Sequence, residues 1–148
     1  AYEIYQCDWS SDVCSSDLDD GEGLHVVEHV LLRPTAAGHA PQRALGADTA
    51  FHSLQVSVVL PDWTVRTHQP SFQAFAHETL RMNAPFHLGL RCLWLPFDAM
   101  ERFESAYERW MELRRAWHAA GPGDAQAAQR LDTAAAALIQ RLQERPAR

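Results

Sequence analysis

The pentapeptide His25-Val26-Val27-Glu28-His29 has the H-x-x-E-H spacing that suits a zinc-dependent hydrolase. On a helix, His25 and His29 would project from one side as metal ligands, with Glu28 beside them as general base for a metal-bound water. On a strand the two histidines still share a face, but Glu28 turns to the other and cannot reach that water. The β-branched neighbours and the stop at Pro34 predict a strand over Leu24 to Arg33, with a short helix as the alternative. Histidines packed or hydrogen-bonded at a strand edge are therefore expected, and no metal site is assigned. No obvious Glu-containing helical motif downstream supplies a third ligand, Glu78 and Glu101 being merely available carboxylates.

The remaining reactive side chains carry bland expectations. His77-Glu78 and His87 flank one helix and its exit and read as solvated. Cys92 alternates with Leu90 and Trp94, as a buried core thiol would. Arg114-Arg115 reads as a solvated or ion-paired pair on a helix face. No Ser/His/Asp arrangement has a local signature. Gly21-Glu22-Gly23 precedes a strand instead of following one, so it is not a phosphate loop. No catalytic or cofactor-binding residue is assigned, and no cofactor is implied.

Several elements must position these groups. Leu54 to Leu60 alternates, with Leu54, Val56, Val58 and Leu60 on one face and Gln55 and Ser57 on the other, and Pro61-Asp62 ends the strand. Pro70 suits the first position of a helix whose apolar stripe is Phe72, Phe75, Ala76 and Leu80 and whose stop is Asn83-Ala84-Pro85. His87 to Leu95 is a second alternating strand, so the three elements predict a βαβ unit. Asp98 and Glu101 have capping-box spacing at the head of a helix striped by Met100, Phe103, Tyr107, Trp110 and Trp117. Gly121-Pro122-Gly123 breaks that helix. An Ala-rich helix follows from about Asp124 to Glu144. Its thin seam of Leu131, Leu138 and Leu142 predicts little burial, with fraying or docking on a partner. Thr35 to Thr49 has no periodicity and reads as a loop, and Asp19 to Gly23 as a linker.

The 148 residues suit about one domain, and the apolar fraction of 47% suffices for a core. Thirteen basic and 19 acidic residues, with no Lys, argue against nucleic-acid binding, and no apolar run is long enough for a membrane span. Cys7 to Leu18, CDWSSDVCSSDL, resembles the in-frame translation of a short-read sequencing adapter, and Ala1-Tyr2-Glu3-Ile4 fits its upstream arm. Residues 1–18 are accordingly expected to be non-native, which removes the two-cysteine pattern of Cys7 and Cys14 from consideration. Without Glu3, Asp8, Asp12 and Asp17 the acidic count falls from 19 to 15 against the same 13 basic residues, a net charge of −2. Cys92 is then the sole remaining cysteine, and no disulfide framework is expected. The expected organisation is a non-native segment 1–18, an α+β domain 19–121 and a helical tail 122–148.

The strings VEHVLLRP, LQVSVVLPDW, PSFQAFAHETLRMNAPFHLGLRCLWL and MERFESAYERWM, together spanning roughly Leu24 to Leu113, carry a resemblance. They resemble the C-terminal region of large bacterial proteins associated with the baseplates of phage-tail-like contractile injection systems. The resemblance implies a non-enzymatic assembly domain at the end of a longer chain, made in the cytoplasm and built into a multi-protein particle. It carries over no functional residue. The expected fold is α+β: a small mixed sheet containing the βαβ unit, covered by two amphipathic helices, with an Ala-rich C-terminal helix. Trp110, Trp117 and Trp63 are the expected anchors for protein partners.

Overall fold

A computed structural model describes residues 23–35, 49–121 and 123–144. Residues 1–18, most of the Asp19–Gly23 linker and most of the Thr35–Thr49 loop lie outside the described residues. The elements in chain order are β1 (His25–Glu28), a 3-10 turn (His29–Leu32), α1 (Thr49–His52), β2 (Gln55–Pro61), α2 (Pro70–Asn83), β3 (Gly89–Leu95), α3 (Phe97–Ala120) and α4 (Ala125–Gln143). The fold is α+β, as expected.

The three strands form one mixed sheet in the order β1-β2-β3. β2 and β3 are joined by α2 and run parallel, with Gln55 opposite Gly89 and Pro61 opposite Leu95. This is the βαβ unit of the sequence reading. β1 lies antiparallel on the other side of β2, with His25 opposite Val59 and Val27 opposite Ser57. The predicted strand over Leu24 to Arg33 is therefore half right. It is extended only to Glu28, and His29–Leu32 then closes into the 3-10 turn.

β2 is the central strand, paired along both edges, and from Ser57 to Pro61 it is buried on both faces. The face bearing Ser57 and Val59 meets the main core of Val27, Leu95, Met100, Phe103, Trp110, Leu131, Leu138, Ile139 and Leu142. The opposite face, with Val58, Leu60 and Trp94, lies toward α2, where Phe72 sets its ring edge-on to Trp94 at 6.4 Å. Pro70 stands in the first turn of α2, and the helix ends at Ala84, before Pro85. None of its side chains is fully buried, and Phe75, expected on the packed stripe, is exposed. Cys92 needs the same correction. It is on the α2 side of β3 and only partly covered, because α2 packs loosely there, and so it is not a core thiol.

Two expectations about α3 and α4 are overturned. α3 starts at Phe97 behind Pro96, which puts Asp98 inside the first turn with no side-chain cap bond, so no capping box forms. Asp98 still favours the positive end of the helix dipole. α4 is the most deeply packed helix instead of a fraying tail. Ala128, Ala134, Ala135 and Ile139 widen the Leu seam, and the small alanine side chains let α4 lie close against α3. Asp124 caps α4 by accepting from the N–H groups of Gln126 (2.9 Å) and Ala127 (3.0 Å). Buried Asp132 accepts from the Thr35 N–H (2.9 Å) and hydroxyl (3.0 Å), which ties α4 to the chain beyond the 3-10 turn.

Among the described residues, no helix is long and apolar enough to cross a membrane.

Candidate functional site

The H-x-x-E-H residues separate once the chain leaves the strand. His25 points from β1 to the core face, where its Nε2 lies 3.1 Å from Glu104 Oε1 of α3. The rings of Phe103 and Tyr107 meet it edge-on at 5.4 and 5.3 Å. Glu28 faces the other way and is exposed. His29 turns into the interior and shares no site with either. Among the described residues, no three His, Cys, Asp or Glu side chains converge as a metal-ligand set.

His29 instead anchors a buried polar cluster. Its Nδ1–H donates to the Phe51 carbonyl at 2.8 Å, because a carbonyl can only accept. That choice leaves Nε2 as an acceptor, and the Ser57 hydroxyl donates to it at 2.7 Å. The imidazole stacks on the Phe51 ring with centroids 4.2 Å apart, and His52 Nδ1–H donates to the His29 carbonyl at 3.1 Å. Burial pushes the His29 pKa below its ordinary 6.5, against the opposing pull of the Phe51 bond; nearby Arg91 and His52 lower it further. The two hydrogen bonds select one tautomer, and burial favours the neutral ring over the charged one.

A serine hydroxyl bonded to a neutral imidazole is the first half of a nucleophile–base pair. Here a backbone carbonyl stands where a triad would place a carboxylate, and His29 and Ser57 are both 0% exposed. No substrate can approach the hydroxyl in this arrangement. The cluster's physical effect is to clasp the 3-10 turn, α1 and β2 together. Ser57 and His52 were missed in the sequence. The available signal was one small polar residue inside the apolar run LQVSVVL, which on a central strand has to find a partner.

The surface groups are distributed differently from expectation. Trp110 is 2% exposed and Trp117 is partly buried, since α4 packs against that part of α3. Trp110 is therefore a core residue and not an open anchor, whereas Trp117 keeps part of its ring exposed. Arg114 stands over the Trp110 ring at 5.3 Å, so the Arg114-Arg115 pair is not simply solvated. Trp63 remains exposed and meets the exposed Phe97 edge-on at 5.4 Å. Phe75, Met82 and Phe86 are also exposed, Phe86 completely. His77, Arg81, Met82, Phe86, Leu88 and Leu90 border a groove of about 590 Å³ between the end of α2 and the start of β3. His87 is exposed beside it, and Glu78 is exposed on α2.

Set against known proteins, the chain matches no protein-family model and no curated protein.

Proposed function

We propose that the chain is a non-enzymatic assembly domain, part of a larger baseplate-type protein of a phage-tail-like contractile particle, made in the cytoplasm and docked on neighbouring subunits. The observation that carries this reading is the disposition of its aromatic side chains. Trp63 and Phe97 form an exposed ring pair on one end of the sheet, while the nucleophile-like pair found among the described residues, Ser57 and His29, is enclosed. Exposed aromatic residues in a cluster are the usual anchors of protein interfaces. The resemblance of Leu24 to Leu113 to baseplate-associated proteins supplies the kind of partner.

The test is titration of the purified chain against the separately purified sheath, tube and baseplate subunits of such a particle. Binding to one baseplate subunit is expected, weakened at least tenfold by the Trp63→Ala, Phe97→Ala double substitution. Loss of both rings should leave the melting temperature nearly unchanged, because neither belongs to the core. Absence of binding to every subunit would overturn the reading.

A further inference from the structure

The outer edge of β3 has a donor and acceptor pattern that is complementary to itself. Gly89 N–H donates to Leu54 O at 2.7 Å and Leu95 O accepts from Asp62 N–H at 2.8 Å. Odd-numbered residues of β3 therefore turn their main-chain groups toward β2. By the alternation of a strand, Leu90, Cys92 and Trp94 turn theirs outward. Those outward groups bond to no described backbone group. β3 is seven residues long and its only charged side chain, Arg91, belongs to the opposite face, where its guanidinium donates to Leu142 O at 3.4 Å. Natural edge strands are commonly blunted by Lys, Pro, a bulge or short length. β1, the other edge, is four residues long and ends in the 3-10 turn. β3 has no Lys, Pro or bulge and is not short; its one charge, Arg91, is turned to the core face and bonded there, so it does not stand at the outer edge.

We propose that a second copy of the chain pairs antiparallel along this edge, about a two-fold axis at Cys92, to make a continuous six-stranded sheet. Centring the axis on Cys92, the middle of β3, uses the whole length of the strand. With Cys92 opposite Cys92 of the second copy, Leu90 falls opposite Trp94 and Trp94 opposite Leu90. Every residue with outward main-chain groups then meets another, each such pair exchanging both N–H···O bonds. The side chains aligned on the α2 side are all apolar, so no like charges oppose each other there. A two-fold axis normal to the sheet sets both copies of α2 on the same side. The groove that contains Leu90, bordered by exposed Met82 and Phe86 and by His77 and Arg81, lies beside the junction. This goes beyond the baseplate reading, since it concerns a copy of the same chain and holds whatever the foreign partner is.

The experiment uses the full chain with Cys7→Ser and Cys14→Ser, so that Cys92 is its one thiol. Sedimentation equilibrium up to about 100 µM is expected to show a dimer. Diamide is expected to convert that dimer to a covalent one through Cys92, because directly opposed residues in a hydrogen-bonded pair sit about 5.5 Å apart at Cα, within disulfide range. A Ser105→Cys, Cys92→Ser variant, whose thiol lies on exposed α3 surface, should give no such product. Cys92→Pro deletes an outward N–H without touching the β2 ladder, and should shift the dimer to monomer with at least a tenfold weaker association. A monomer throughout that concentration range would overturn the proposal, as would a dimer that cannot be linked through Cys92. The cross-linking arms decide the matter even if the proline variant fails to fold.

Discussion

Ser57 and His29 show how much one polar pair can matter in an apolar interior. Removing the hydroxyl with Ser57→Ala strands the His29 Nε2 as a buried acceptor, and an unsatisfied buried group costs about 1–3 kcal/mol. Urea denaturation should report a loss of that size with the slope unchanged. A loss below about 0.5 kcal/mol would mean that the hydrogen bond is replaced by another partner. The same histidine sets a pH dependence. Its pKa is lowered on folding, so between the folded value and 6.5 the unfolded chain binds more protons than the folded one. The stability it contributes is whole above pH 6.5 and falls away as pH drops from there through the folded value. Comparing the chain with His29→Asn at pH 7.5 and pH 5.0 isolates the effect. The destabilisation on acidification should be smaller in the variant, and equal losses would show that other groups carry it. Burial also pushes the Cys92 thiol up, so less thiolate is present at neutral pH than for an exposed cysteine. Its reaction with a thiol reagent at pH 7.5 should be slower than that of free cysteine and should return on unfolding.

Elements were legible where local chemistry and tertiary packing agree. Pro70, Pro85, Gly121 and the alternation of LQVSVVL each mark a boundary or a strand that is present. Gly121 has φ +86°, a region glycine enters without the Cβ clash that other residues suffer, so it is suited to end α3. Gly121→Ala should cost about 1 kcal/mol, measured as a lowered urea midpoint; an unchanged midpoint would mean that the turn relaxes to another conformation. Leu54 breaks the same rule, with φ +52° and an exposed side chain at the start of β2. No propensity announces it; its carbonyl accepts from the Gly89 N–H, a partner distant in the sequence. The misreadings have the same origin. Whether His29 continues β1 or turns inward depends on Phe51 and Ser57, 22 and 28 residues away. Whether Trp110 is an anchor or a core residue depends on α4, whose alanines look weak in isolation and pack closely only against a suitable neighbour. Contacts that distant leave no periodic trace.

At the scale of the whole molecule, the described core belongs to the sheet and the α3–α4 pair jointly. Phe103, Trp110 and Met100 bury one side of α3 between the strands and Leu131, Leu138, Ile139 and Leu142. Each of those four aliphatic side chains stabilises the fold by roughly 1.5–3 kcal/mol on burial, comparable in sum to the whole stability of an ordinary domain. The Asp132–Thr35 bonds add a link from α4 to the chain that follows β1, on the far side of the sheet's sequence. α4 is therefore expected to be required for folding, and its removal should uncover Trp110 and the adjoining face of α3. A chain ending at Gly121 should lose its near-ultraviolet circular dichroism and its cooperative melt, and should bind a hydrophobic dye. Adding the 124–148 peptide back in trans should restore part of the tertiary signal, since its apolar face is shaped to that surface. A truncated chain that melts cooperatively with Trp fluorescence unchanged would show that the sheet and α3 stand alone, with α4 only laid against them.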